Sequence, residues 1–121
     1  MQDFRNLFAW QRGANLLEGI YRVTAKLPNE ERYVFATQMR RAALSITNNI
    51  AEGCGRKGDV EFARFLQLAM GSASELENCV ELGIRVGLIN SSDGSLCLGQ
   101  VVDVKRLLAA LLRKLNAGRR G

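Results

Sequence analysis

The chain has 121 residues, with 17 Lys+Arg against 12 Asp+Glu, a formal net charge of +5, and 47% hydrophobic residues. That is the balance of one globular domain, residues 1–121, with one sizeable core, and it excludes a disordered chain. No apolar run approaches the roughly 20 residues that cross a bilayer, and Met1-Gln2-Asp3-Phe4-Arg5 lacks the order of a secretion signal, so a cytoplasmic protein away from membranes is expected.

A single proline, Pro28, and few β-branched runs leave little to punctuate strands, and the class expected is all-α. A first helix over about residues 7–26 places Leu7, Trp10, Ala14, Leu17, Tyr21 and Thr24 on one stripe. Leu27-Pro28 ends it, and Asn29 is placed to cap the next helix, with Glu30 and Glu31 at its positive end. The second helix, about 31–52, carries Phe35, Met39, Ala42, Ile46 and Ile50 on its apolar side. Gln38, Arg41, Ser45, Asn48 and Glu52 repeat at the same spacing on another side. Gly53 is expected to end this helix in a left-handed conformation.

Gly53-Cys54-Gly55-Arg56-Lys57-Gly58 matches the Gly-x-Gly-x-x-Gly pattern of dinucleotide-binding turns. That chemistry needs a strand before the glycines, and here a long helix precedes them, so the glycines read as a helix stop and a turn. Asp59 is the expected cap of a third helix, about 60–86, whose seam runs through Phe62, Phe65 or Leu66, Ala69, Ala73, Leu76, Val80 and Gly83. Gly87 suits the left-handed position after it, with Leu88-Ile89 folding back onto the last turn. Asn90-Ser91-Ser92-Asp93-Gly94-Ser95 reads as a loop in which Gly94 tolerates substitution. A fourth helix, about 96–116, carries Val101, Val104, Leu108, Leu111 and Leu115, and ends in a basic tail. Short connections between helices favour an antiparallel up-down four-helix bundle.

Catalytic chemistry has few hooks. There is no histidine, no nucleophile-elbow pattern and no Cys-x-x-Cys pair, and Cys54, Cys79 and Cys97 suit buried thiols. The expectation is a non-enzymatic protein without metal or cofactor. What remains is surface. Arg40, Arg41, Arg56, Lys57, Arg113, Lys114, Arg119 and Arg120 are candidates to contact the phosphates of RNA or DNA, which as point charges they attract by proximity alone. Polar-tipped aromatic residues are scarce, so base stacking is not expected to supply sequence specificity. Gln38, Arg41, Ser45, Asn48, Asn49 and Glu52, with Gly71, Ser72 and Glu75, form a small and hydrogen-bonding surface suited to contact between subunits, and a cyclic homo-oligomer is expected.

The run Arg40 to Gly53, together with Phe4, Leu7, Trp10-Gln11, Ile20-Tyr21, Leu27-Pro28, Glu31, Tyr33, Gln38, Phe62, Phe65-Leu66 and Gly71 to Glu77, carries a resemblance. The chain closely resembles the four-helix-bundle proteins encoded within intervening sequences of bacterial 23S rRNA genes, a family that extends to accessory proteins of diversity-generating retroelements. Two positions depart from the family pattern: Thr47 stands where proline often follows Ser-Ile, and Gly58 where Ser or Thr is usual. The resemblance implies an antiparallel four-helix bundle assembled into a ring, with five subunits expected. For the retroelement branch it implies a basic ring that binds nucleic acid and a reverse transcriptase. The competing expectation is a purely structural or protein-binding oligomeric scaffold, with a reverse transcriptase as one candidate partner.

Overall fold

The computed structural model describes residues 2–120, and the side chains of all of these except Glu31, Arg32, Arg119 and Arg120. Four long helices dominate, and no strand occurs among the described residues. A 3-10 turn, Phe4–Asn6, precedes α1 (Phe8–Thr24). An α-helical turn, Asn29–Glu31, and a π-helical turn, Arg32–Ala36, lead into α2 (Thr37–Cys54). The last two helices are α3 (Asp59–Arg85) and α4 (Ser91–Arg120). Each helix packs on two others: α2 on α1 and α3, and α4 on α3 and α1.

The core follows the apolar spacing of α2, α3 and α4. Met39, Ile46 and Ile50 meet Leu66, Leu76 and Val80, and Val101, Val104 and Leu108 close the layer from α4. Burying such side chains contributes about 1.5–3 kcal/mol each. Helix α1 differs from its expected stripe. Ala9, Leu16, Ile20 and Val23 are buried, whereas Trp10, Ala14 and Leu17 are only half-buried and Tyr21 is exposed. The cause is a close crossing at small residues: a Cβ on Gly13 would lie 3.0 Å from Thr47 Cγ2, so α1 turns its small side toward α2. Thr47 itself donates to Leu44 O at 3.0 Å and α2 runs through it without a break.

Several helix ends fall elsewhere than the sequence suggested. Gly53 is not left-handed. It lies inside α2, buried, and among the described residues the only glycines with positive φ are Gly58 at 83° and Gly87 at 82°. Its lack of a side chain serves packing, since a Cβ there would stand 2.9 Å from Phe65 Cβ and 3.0 Å from Phe62 Cδ1. Asp59 is the first residue of α3 and not its cap, because Gly58 occupies that position and offers no side chain. The second helix does not start as one regular α-helix; the π-helical turn interrupts it before Thr37.

The polar run after Gly87 is also not a loop. Helix α4 begins at Ser91, five residues before the expected start. Asn90 Oδ1 accepts from the Asp93 N–H at 2.8 Å, the geometry of an N-cap. Gly94 sits within that first turn, where a Cβ would lie 2.3 Å from Ile84 Cδ1. The end of α3 does match its reading. Leu88 N–H donates to Gly83 O at 2.9 Å and Gly87 N–H to Ile84 O at 3.0 Å, a Schellman closure, and Ile89 is buried against Gly83.

Candidate nucleic-acid interface

The turn between α2 and α3 is built from its glycines. Gly55 closes α2 by donating to Glu52 O at 3.1 Å, and the positive φ of Gly58 sends the chain into α3. Between them Arg56 and Lys57 project from the bundle, both exposed. Arg56 is held loosely, 3.4 Å from Glu52 Oε2, with its guanidinium 5.2 Å from the centre of the Phe65 ring. An exposed pair of that kind is worth 0–1 kcal/mol and yields readily to a phosphate.

The last third of α4 arrives at the same place. Arg56, Gly58, Asp59 and Phe62 line a cleft with Leu115 of α4 and Gln2 near the start of the chain. Arg113 and Lys114, the residues just before Leu115, are exposed and form no ion pair among the described residues. Four cations from two distant stretches of sequence are thus brought to one end of the bundle. The side chains of Arg119 and Arg120, also expected to contact phosphate, lie outside the described residues.

Carboxylates temper this end. Asp59 and Glu61 occupy the first turn of α3 and already satisfy its positive dipole. The hydrogen bond from Arg64 holds the Glu61 carboxyl below its ordinary value, so it stays ionised. The positive charge of this end therefore lies on side-chain cations and not on the helix terminus.

Two further candidates separate. Arg40 is half-buried, its Nε donating to Thr24 Oγ1 at 2.9 Å and its guanidinium lying 4.4 Å from the centre of the Tyr21 ring. Thr24 in turn donates to Ile20 O at 2.6 Å, so Arg40 ties α2 to α1. Arg41, next to it, is exposed and lies on α2 away from the turn.

The candidate subunit surface is likewise divided. Ser45 Oγ and Ser72 Oγ are 2.8 Å apart, and Asn49 Nδ2 donates to Ser45 O at 2.8 Å, so these three side chains join α2 to α3 within the chain. Gln38, Arg41, Asn48, Glu52, Gly71 and Glu75 are exposed. Sequence reasoning missed a second surface altogether, an apolar groove between α1 and α4 lined by Phe8, Leu107 and Leu111. Its signal was the excess width of the α4 apolar side together with a phenylalanine outside the α1 stripe.

Burial pushes the thiols of Cys54, Cys79 and Cys97 up, which keeps them protonated at neutral pH. No cluster of metal-ligating side chains occurs among the described residues. None of the described helices is long and apolar enough to cross a membrane.

The family described as 23S rRNA-intervening sequence protein matches residues 5–110. The chain belongs to this family. Among solved structures, a protein of unknown function from the S23 ribosomal protein family of Bacteroides thetaiotaomicron VPI-5482 superposes with a TM-score of 0.80. The match covers 86% of this chain and 97% of that one at 24% identity, which establishes a shared fold. No curated protein matches the chain. The match to the 23S rRNA-intervening sequence protein family covers α1, α2 and α3 and reaches into α4, stopping before its basic end.

Proposed function

We propose that this chain is a non-enzymatic, antiparallel up-down four-helix bundle that closes into a cyclic homo-oligomer and binds RNA or DNA through phosphate contacts at its basic end. The observation that carries this reading is the cleft shared by Arg56 and Leu115, which puts Arg56, Lys57, Arg113 and Lys114 at one end of the bundle. One subunit offers four described cations there, opposed by Asp59 and by the Glu52 partner of Arg56. Repetition around a ring multiplies that modest charge into a strong local potential. Exposed Lys and Arg read charge and not base identity, so binding is tight at low salt and indifferent to sequence.

Fluorescence titration with a labelled RNA and a DNA strand of unrelated sequences tests this. Both bind at 50 mM salt, and Arg56→Gln/Lys57→Gln or Arg113→Gln/Lys114→Gln weakens both alike without unfolding the bundle. Arg40→Gln leaves affinity nearly unchanged, because that guanidinium is engaged with Thr24 and Tyr21. Absence of binding to either strand at 50 mM salt overturns the reading and leaves the oligomeric scaffold in its place. A neighbouring reverse-transcriptase gene with its template repeat would assign the chain to the retroelement branch.

A further inference from the structure

The α1–α4 side of the bundle holds a groove that the chain itself leaves unfilled. Leu7, Phe8 and Ala9 form one wall and Leu107, Ala110 and Leu111 the other, around ≈ 230 Å³, with Lys114 at the rim. Phe8 is 67% exposed. Apart from Asn6 and Lys114 the groove's lining is apolar, the composition of the buried centre of a protein contact.

A matching surface lies across the bundle. Leu68 and Leu82 on α3 are 47% and 43% exposed, and Val86 follows one turn later. Leu68, Glu75 and Leu82 are spaced seven apart, so they form one line along the helix. Ser72 in this stretch bonds Ser45 of α2, whereas Glu77 receives Lys105 of α4 at 2.9 Å. The line therefore borders α2, on the side of the bundle away from the groove. Within it Gly71 has open space around its Cβ position, which lets another helix approach the backbone.

The two surfaces also differ in charge. Glu75 in the line and Lys114 at the groove both lack an ion-pair partner among the described residues. Such opposition steers association and disfavours like surfaces meeting.

We propose that the α1–α4 groove of one copy receives the Leu68–Leu82 line of α3 from a second copy. The inference rests on the cyclic assembly of the proposed function and names the two surfaces that build it. Because the surfaces are different and lie on opposite sides of the subunit, the contact is head-to-tail, and repetition of it closes a ring. Contact through the sides leaves Arg56, Lys57 and Arg113 uncovered at the bundle ends, gathered on one rim.

Light scattering after gel filtration tests the pairing with Phe8→Glu and Leu68→Glu, both at exposed positions and both checked for retained helix by circular dichroism. The parent chain elutes as a multiple of 13.4 kDa. Each variant alone falls to the monomer mass. Mixed in equal amounts they form a dimer and nothing larger, because each retains the surface the other has lost. If the parent chain is itself a monomer at tens of micromolar, the ring and this interface both fail. If the parent assembles and either variant keeps the parent mass, or the two monomeric variants do not pair, the ring stands and this interface is wrong.

Discussion

Glycines at helix crossings set the closest approaches in this bundle, and they separate by what surrounds them. At Gly53 the nearest atom is Phe65 Cβ, fixed to the α3 backbone, so an added methyl moves a helix and not a rotamer. Gly53→Ala is expected to cost about 1–3 kcal/mol. Gly94→Ala costs less, because Ile84, whose Cδ1 and Cγ1 stand in the way, is half-buried and can turn aside. Gly99→Ala meets open space inside α4 and is expected to gain about 0.5–1 kcal/mol from helix propensity. Thermal melts of the three variants check this order, and equal shifts for Gly53→Ala and Gly99→Ala would contradict it. A glycine after a long apolar stripe reads as a stop signal. The sequence carries no sign that a phenylalanine from the next helix needs the same space.

At the scale of the elements, the junction of α1 and α4 gives a pH-dependent prediction. Lys26, just past α1, donates to Asp93 Oδ2 at 2.9 Å in the first turn of α4, where Asn90 also contributes a hydrogen bond. These contacts, the Lys26 hydrogen bond first, hold the Asp93 carboxyl below its ordinary value. A carboxylate depressed on folding stabilises the protein fully above its unfolded value near about 3.9, and that contribution is lost as pH falls through the folded value. Lys26→Met should therefore lower the melting temperature at pH 7 and leave it unchanged at pH 2. A deficit that persists at pH 2 would show that Lys26 acts through packing.

The same junction shows how much of the fold was legible. The apolar spacings of α2 and α3 were strong enough to read directly, and Gly87 marked the end of α3 because positive φ is nearly a glycine property. Asn90 to Ser95 was ambiguous, since the residues that make turns also make caps, and only the Asn90–Asp93 contact and the fit of Gly94 against Ile84 distinguish them. Helix α1 was misjudged by one step of its stripe, because Ala9 and Gly13 carry little hydrophobicity although they face the closest contact. Of the candidate site, Arg56, Lys57, Arg113 and Lys114 could be named from charge. Their convergence is tertiary, as is the withdrawal of Arg40 onto Thr24.

At the scale of the whole molecule, the account makes affinity a property of the ring. A subunit that presents Arg56, Lys57 and Arg113 at its end engages few phosphates, whereas several subunits sharing one rim engage six or more. Six contacts correspond to a fall in affinity of about a thousandfold between about 50 and 200 mM salt, as condensed counterions are released on binding. The most direct test is the slope of log affinity against log salt for the parent chain beside the monomeric Leu68→Glu variant, which keeps every cation of the basic end and adds its charge on α3, away from the groove that holds Lys114. The account predicts a steep slope for the parent and a shallow one with weaker binding for the monomer. Equal slopes in ring and monomer, or binding that ignores salt, would contradict it.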